Sequence, residues 1–361
     1  MGTRPEAIKL SPVARALREQ GLAPSIILTG QHPDLDLAAH GFAGCNVHAL
    51  HCPGQASPHR HVEDVRAAML KTVHGSPDLI VVQGDTSSAM GAALAAVTAG
   101  LPIAHVEAGL RTHDPSQPWP EEEYRRRIDA ESDILFAPTE AAADNLRAEN
   151  VRGAIHVTGN TGIDALLHVE RNLPPVRLRE SGKFRLLVTC HRRENWGVNL
   201  RAVATALVEL ARDRTIDIVV VLHPNPNVAE TLRRCLDKQD AISLQPPCAH
   251  GELVAMMRDS DLILSDSGGM QEEAPALGTP LLVLRDKTER PEGIASGNMR
   301  LVGCTSAAIT SAVRELRADP VTLAAMSRRA YPYGDGLSAP RIAGLIAQWA
   351  EGRASSGRRA I

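Results

Sequence analysis

The sequence predicts an α/β protein made of two Rossmann-like, doubly wound units, each a mostly parallel sheet with helices on both faces. Three observations lead there. Short runs rich in β-branched and aliphatic residues alternate with alanine- and leucine-rich stretches of helical length, as strand–helix–strand units do. At 361 residues the chain is long for one domain and comfortable for two. The alternation is broken at Arg171–Gly182 by prolines and clustered charge. That segment reads as a link, giving a first unit over 1–170 and a second over 171–339. A helix around 340–361 is expected to pack back on the first unit.

Taken in order, strands read at Pro24–Thr29, Asp78–Gln83, Leu101–Val106, Asp133–Ala137 and Ile155–Thr158 in the first unit. The second unit offers Phe184–Thr189, Ile216–Leu222, Asp261–Ser265 and Pro280–Leu284. Several are nearly continuous apolar runs, as expected of parallel strands buried on both faces. Ser87–Ala99 and Leu200–Arg212 lie between strands and are rich in helix formers. The tail Glu351–Ile361 is rich in Gly, Ser and Arg and reads as frayed. In such folds ligands lie at the carboxyl ends of the strands, and two facing units create one cleft.

Composition narrows the function. Apolar residues at 43% allow each half a proper core. A formal charge of −3 gives no electrostatic case for nucleic acid, and 2% aromatics leave few platforms for stacking bases. Six cysteines without a CxxC pair fit a reduced, cytoplasmic compartment better than a disulfide framework. No apolar run approaches membrane-spanning length, and the N-terminus does not read as a signal peptide.

The most informative stretch is Asp266-Ser-Gly-Gly-Met-Gln-Glu-Glu-Ala-Pro275. It follows a buried strand and opens a helix, so Ser267, Gly268 and Gly269 sit at a helix N-terminus. Unpaired N–H groups and the positive end of the helix dipole favour phosphate there, and glycine lets the backbone approach it. Glu272 and Glu273 follow within the first turns. Carboxylates repel phosphate, so at least one is expected to reach something else, such as ribose hydroxyls. An ordinary capped helix is the alternative.

Other polar residues fall at strand ends: Asp85 after Ile80–Gly84, Glu107 after Ile103–Val106, and His191, Arg192 and Arg193 after Leu186–Cys190. Glu121 opens a helix after Pro118-Trp-Pro. Singly, each has a plain structural role open to it: helix cap for Asp85, dipole partner for Glu121, surface ion pair for Arg193. Together, several acidic strand ends in one half and a His/Arg cluster in the other suggest acid–base chemistry. Carboxylates sharing a cleft can split into one acid and one base. The histidines and cysteine at His48, His51, Cys52, His59 and His61 match no standard zinc spacing. Cys190 neighbours His191 on a strand, so the two point to opposite faces and a buried structural thiol is expected.

Gly2-Thr-Arg-Pro-Glu-Ala-Ile-Lys9, Gln83-Gly-Asp-Thr86, His105–Thr112, Pro118–Glu122, Thr158–Thr161, His191–Glu194, Asp266–Pro275, Arg285–Glu292 and Pro332–Gly336 occur together and in order. In this the chain resembles the non-hydrolysing UDP-N-acetylglucosamine 2-epimerases, from Gly2 to about Ile346. The resemblance implies two Rossmann-like domains of glycosyltransferase-B type with the active site in the interdomain cleft, and a homodimer. It implies a UDP-N-acetylhexosamine substrate, with UDP-GlcNAc and UDP-ManNAc interconverted by anti elimination of UDP, through 2-acetamidoglucal, and re-addition. No metal and no nicotinamide cofactor are needed. The catalytic set would be Asp85, Glu107, Glu121 and His191. Arg4, Lys9, Arg192 and Arg290 would lie around the phosphates and sugar, Ser267, Gly268 and Gly269 would hold the diphosphate, and Glu273 the ribose hydroxyls.

Four features depart from the family pattern. The chain begins at Met1-Gly-Thr-Arg, without the strand that the family places just before this motif, centrally in the first sheet. Tyr124 and Ala130 replace the usual Asn and His. Pro246–Leu253 lacks the aromatic near uracil. Gln31-His-Pro33 replaces Gln-His-Arg in a region where many bacterial relatives bind an activating UDP-GlcNAc, so no activator requirement is expected. Rival readings are a hydrolysing epimerase, an epimerase of another UDP-2-acetamido sugar, a glycosyltransferase of the same architecture, and a catalytically dead regulatory homologue.

Overall fold

The computed structural model describes the chain except residues 33–34, 39, 74–76, 117, 176–181, 191–196, 238 and 358–361, and the side chains of 354–357. Two compact units emerge, one of Met1–Ala165 with Tyr333–Ile361, the other of Leu166–Pro332. The sequence reading divided the chain at 170/171 and 339/340; the contacts divide it at 165/166 and 332/333.

Unit 1 runs α1 (Arg4–Glu19), β1 (Ser25–Leu28), β2 (Asn46–Ala49), α2 (Pro58–Thr72), β3 (Ile80–Gln83), α3 (Ser87–Ala99), β4 (Ile103–Val106), α4 (Glu121–Glu131), β5 (Ile134–Ala137), α5 (Glu140–Ala148), β6 (Ala154–Val157) and the start of α6 (Thr161–Asn172). Its strands form two separate parallel sheets, β1-β2 and β3-β4-β5-β6. Thr3 caps α1 through a reciprocal box with Glu6, and Pro5 near the helix start lacks only an N–H that would have no helical partner. Met1 pairs with β1 in the parallel manner: its nitrogen donates to the Ile27 carbonyl and its own carbonyl accepts from Thr29 N–H, both at 2.9 Å. The last helix of the chain, Ser338–Gly357, lies against α1. Its Ala339, Ile342, Ala343 and Ile346 join Val13, Leu17, Ala104 and Phe136 in one buried cluster. A second cluster lies between α2, α3 and β3, around Val65, Met69, Ile80, Val82 and Ala92.

Unit 2 continues through β7 (Phe184–Thr189), α7 (Val198–Leu210), β8 (Ile216–Val221), α8 (Pro226–Leu236), β9 (Ile242–Gln245), α9 (His250–Arg258), β10 (Leu262–Ser265), α10 (Gly268–Leu277), β11 (Leu281–Val283), α11 (Pro291–Ala295), β12 (Met299–Leu301), α12 (Ser306–Ala318) and α13 (Pro320–Met326), so that the closing helix of unit 1 is α14. One parallel six-stranded sheet, order β12-β11-β10-β7-β8-β9, carries its core. The central strands β7 and β10 are almost wholly buried from Leu186 to Thr189 and from Leu262 to Ser265.

Two expectations need correction. Residues 351–357 of the tail are helical, continuing α14, and the Arg353 guanidinium stacks 5.0 Å over Trp349, one turn back. Short strands also occur at Asn46–Ala49, Ile242–Gln245 and Met299–Leu301, where none was read.

Candidate active site

In unit 1 the candidate residues stand at the ends of adjacent parallel strands. Gln83 of β3 is in register with Val106 of β4, so Asp85 and Glu107 follow side by side. Glu107 adopts φ of +70°, a left-handed conformation that costs a non-glycine residue energy and marks a position set by its surroundings. Its N–H and that of Ala108 both donate to the Phe136 carbonyl at 3.1 Å, fixing the turn. The Glu107 carboxylate then meets the Lys9 ammonium at 2.6 Å and the Gln83 amide. Asp85 is paired with Arg125 of α4.

A buried network stands behind these groups. Asp129, wholly excluded from solvent, binds the His105 ring at 2.6 Å and the Arg111 guanidinium at 2.8 Å. Burial pushes the Asp129 carboxyl up, but the hydrogen bonds and charges of His105 and Arg111 outweigh it and hold it below its ordinary value. Arg111 also grips Glu149 with two bonds, at 2.9 and 2.7 Å. The other His105 nitrogen lies 2.9 Å from the Gly84 carbonyl, immediately before Asp85. Glu122 accepts from the Thr112 N–H at 3.1 Å. Glu121, the first residue of α4, is half-buried.

The Gly2-Thr-Arg-Pro motif packs tightly. A Cβ at Gly2 would lie 2.1 Å from Ser88 Oγ and 2.2 Å from Thr29 Oγ1, so only glycine fits. Arg4 opens α1, its N–H 3.4 Å from His32 Nδ1. Gln31 Oε1 accepts from Ser88 Oγ at 2.7 Å. His61 lies buried between Ser87 Oγ (2.6 Å) and the Cys52 carbonyl (3.0 Å), which gives that histidine a structural role. Tyr124, one of the departures, reaches His59 at 3.3 Å. Burial, with Glu123 and Glu121 near, pushes its hydroxyl up to about 12.

Unit 2 holds the strand-to-helix turn. Ser267 stands at the N-cap of α10 without a side-chain cap bond, and its own N–H donates to Ser265 Oγ at 3.0 Å. The first-turn N–H groups are thus left to other acceptors. Glu273 is buried and lies 2.8 Å from His250 Nε2. Glu272 turns the other way, to Arg290, at 2.7 and 2.6 Å. Arg290 is shared with Glu289, which also holds Arg285 at 2.8 Å. A Cβ on Gly268 would stand 2.8 Å from the Arg290 guanidinium carbon, so this glycine lets the pinned arginine lie across the helix entry.

Unit 1 therefore brings Lys9 to Glu107 and places Asp85 beside it; unit 2 gathers Ser267, Gly268, Gly269, Glu273 and Arg290 around one helix entry. His191, Arg192, Arg193 and Pro33 lie outside the described residues. Cys190 is buried, and burial, with Asp266 and Cys304 near, pushes its thiol well up, as befits an inert structural cysteine. The sequence reading missed Arg125 and Asp129. The available signal was helical spacing: Tyr124, Arg125, Ile128 and Asp129 share the buried face of α4.

Parallel Rossmann-like sheets in both units, acidic strand ends in one and a glycine-lined helix entry in the other define an α/β enzyme of glycosyltransferase-B architecture. More particularly, the chain belongs to the UDP-N-acetylglucosamine 2-epimerase family, an isomerase family whose profile matches residues 15–347. It is 40% identical to the UDP-N-acetylglucosamine 2-epimerase of Yersinia pestis over 94% of this chain and 95% of that one. The Escherichia coli K12 enzyme of the same name is 39% identical with the same coverage. Among solved structures, the Neisseria meningitidis UDP-GlcNAc 2-epimerase bound to UDP-GlcNAc superposes with a TM-score of 0.88 at 35% identity, over 96% of this chain and 98% of that one. The glycotransferase of kitacinnamycin, at 14% identity and TM-score 0.59 over 94% of each chain, shares the fold alone. Among the described residues no helix is long and apolar enough to cross a membrane.

Proposed function

We propose that this chain is a non-hydrolysing UDP-GlcNAc 2-epimerase, interconverting UDP-GlcNAc and UDP-ManNAc by anti elimination of UDP through 2-acetamidoglucal and re-addition. The observation that carries the reading is Glu107, held in a left-handed turn against Lys9 with Asp85 at the neighbouring strand end. Inversion at C2 requires proton transfer on both faces of one carbon, which a single base serves poorly. Asp85, Glu107 and Glu121, with His191, supply the several groups needed. The C2 hydrogen is barely acidic, so cleavage of the C1–O bond leads and positive charge grows on the ring, where carboxylates stabilise it.

In unit 2 the uncapped first turn of α10, at Ser267, Gly268 and Gly269, takes the diphosphate, and Glu273 with His250 takes the ribose hydroxyls. Arg4, Arg192 and Arg290 offset the charge of the departing UDP. The meningococcal structure bound to UDP-GlcNAc supports this choice of substrate. The enzyme acts without metal or nicotinamide, in the cytoplasm, as a homodimer. Incubation with UDP-GlcNAc in D₂O, followed by NMR, tests the mechanism. Deuterium at C2 and UDP-ManNAc without net hydrolysis are expected. Retention of the C2 hydrogen refutes it, and stoichiometric free ManNAc assigns the hydrolysing reaction instead.

A further inference from the structure

Asp85 and Glu107 stand on two turns that one buried pair of side chains joins. Asp85 follows Gly84, at φ of +66°, and Glu107 comes two residues before Gly109, at φ of +85°. The side chains of His105 on β4 and Asp129 on α4 are both wholly excluded from solvent. His105 Nδ1 lies 2.6 Å from Asp129 Oδ1. The other ring nitrogen, Nε2, lies 2.9 Å from the Gly84 carbonyl, and Asp129 Oδ2 accepts from the Gly109 N–H at 3.2 Å. One chain of contacts therefore runs from the carbonyl before Asp85 to the amide just after the Glu107 turn.

These partners settle where the ring protons are. Both nitrogens face oxygen, so turning the ring over would set carbon against each. A carbonyl only accepts, so Nε2 carries a hydrogen. The other nitrogen meets a carboxylate, so a proton lies on that line too. Arg111, a cation that does not release its proton, holds the second oxygen of Asp129 at 2.8 Å. Asp129 thus keeps the negative charge and the proton belongs to Nδ1. An imidazole with one hydrogen would present a lone pair either to the Gly84 carbonyl or to the carboxylate. We propose that His105 is a positioning residue for the isomerisation: as a buried imidazolium it locks the Gly84–Asp85 turn to Asp129. Helix α4 then holds Asp85 twice. Arg125 pairs with its carboxylate, and Asp129, one turn later on the same buried face, holds its backbone through His105. The effect on turnover rests on the epimerase reading given above; the placement of the two protons does not.

Two measurements test this. In the parent chain labelled with ¹⁵N, His105 should carry a hydrogen on both ring nitrogens at neutral pH, with couplings across the hydrogen bonds to Asp129 and Gly84. A single ring hydrogen overturns the proposal, whatever the reaction. Turnover of UDP-GlcNAc then separates the two bonds. His105→Asn places its amide near Nδ1, so it keeps Asp129 and loses Gly84. His105→Gln reaches the Nε2 position, so it keeps Gly84 and loses Asp129. A misplacement on the order of 1 Å costs about 100-fold in rate. His105→Asn should therefore lower kcat about 10- to 100-fold, with UDP affinity within about threefold of the parent, and His105→Gln should recover most of the loss. Unchanged kcat in His105→Asn, or equal losses in the two variants, overturns the positioning role. If the variants do not fold, the ¹⁵N result on the parent decides. A parent that leaves UDP-GlcNAc unchanged refutes the epimerase reading instead, and again the ¹⁵N result decides His105.

Discussion

Substitution of Lys9 by methionine isolates the ion pair that meets Glu107 in the candidate site. The Lys9 ammonium and the Glu107 carboxylate are 2.6 Å apart, their side chains 12% and 7% exposed. Lys9→Met leaves a carboxylate almost out of water without its cation, the Gln83 amide still in contact. Removing one partner of a buried pair costs about 3–5 kcal/mol. The residual exposure of the site and the surviving hydrogen bond bring the expected cost down to about 2–3 kcal/mol. Glu107→Gln strands the ammonium instead and should cost a similar amount. The double variant strands neither charge, so its cost should fall short of the sum by about 1.5–3 kcal/mol. Hydrogen exchange of the Ala104–Val106 amides in β4 reads this locally, without assuming that two units unfold as one. Glu107→Gln should also lower turnover about 10²- to 10⁴-fold. Additive costs, with coupling under about 0.5 kcal/mol, would refute the reasoning.

Three further outcomes are expected. Asp129→Asn removes the negative charge beside the Arg111 guanidinium and one of the two oxygens that serve His105, Arg111 and the Gly109 N–H, and should destabilise unit 1 by about 3–5 kcal/mol at neutral pH. The Asp129 carboxyl sits below its ordinary 3.8 in the folded chain, so its contribution is present above that value and is lost as pH falls below it; melting curves from pH 7 to 3 should therefore drop more steeply for the parent than for the variant. Gly268→Ala drives a methyl into a guanidinium that Glu272 and Glu289 hold in place, so it should cost about 1–3 kcal/mol and weaken UDP binding by calorimetry; unchanged stability and affinity would show that Arg290 yields freely. Glu273→Ala should mainly weaken UDP binding, by about 1–3 kcal/mol, whereas Glu121→Gln should collapse turnover with binding nearly kept; the reverse pattern would overturn that division of roles.

Most strands that the sequence announced have neighbours on both sides or apolar runs; β6, a half-exposed edge strand of mixed residues, is the exception. Ile134–Ala137 and Leu262–Ser265 are fully buried and legible as such. The strands it hid, β2, β9 and β12, are all sheet edges. Asn46–Ala49 is exposed throughout and Met299–Leu301 has only three residues, so neither carries an apolar pattern. The site divides similarly. The carboxylates at Asp85 and Glu107 were visible because they follow strands, and Ser267–Gly269 because it precedes a helix. The contact of Lys9 with Glu107 spans 98 residues of chain and leaves no local trace. The left-handed backbone of Glu107 is equally silent, since nothing in its side chain demands it. Glu272 and Glu273 looked equivalent as neighbours, and only the fold sends one to Arg290 and the other to His250.

The placement of α14 has a consequence for the order in which the polypeptide matures. Its Ile342, Ala343 and Ile346 complete a core begun by Val13 and Leu17, and its first turn is tied to Asp164, which accepts from Ser338 and Ala339 at 3.2 and 2.8 Å. Unit 1 cannot close until the ribosome has made nearly the whole protein. Unit 2, continuous from Leu166 to Pro332, is fully synthesised first. At about 5–20 residues per second, the first half waits roughly ten to forty seconds for its last helix. During nascent-chain synthesis the second-made unit therefore matures before the first-made one, and a ribosome stalled before Ser338 holds an amino-terminal half whose apolar face is still uncovered.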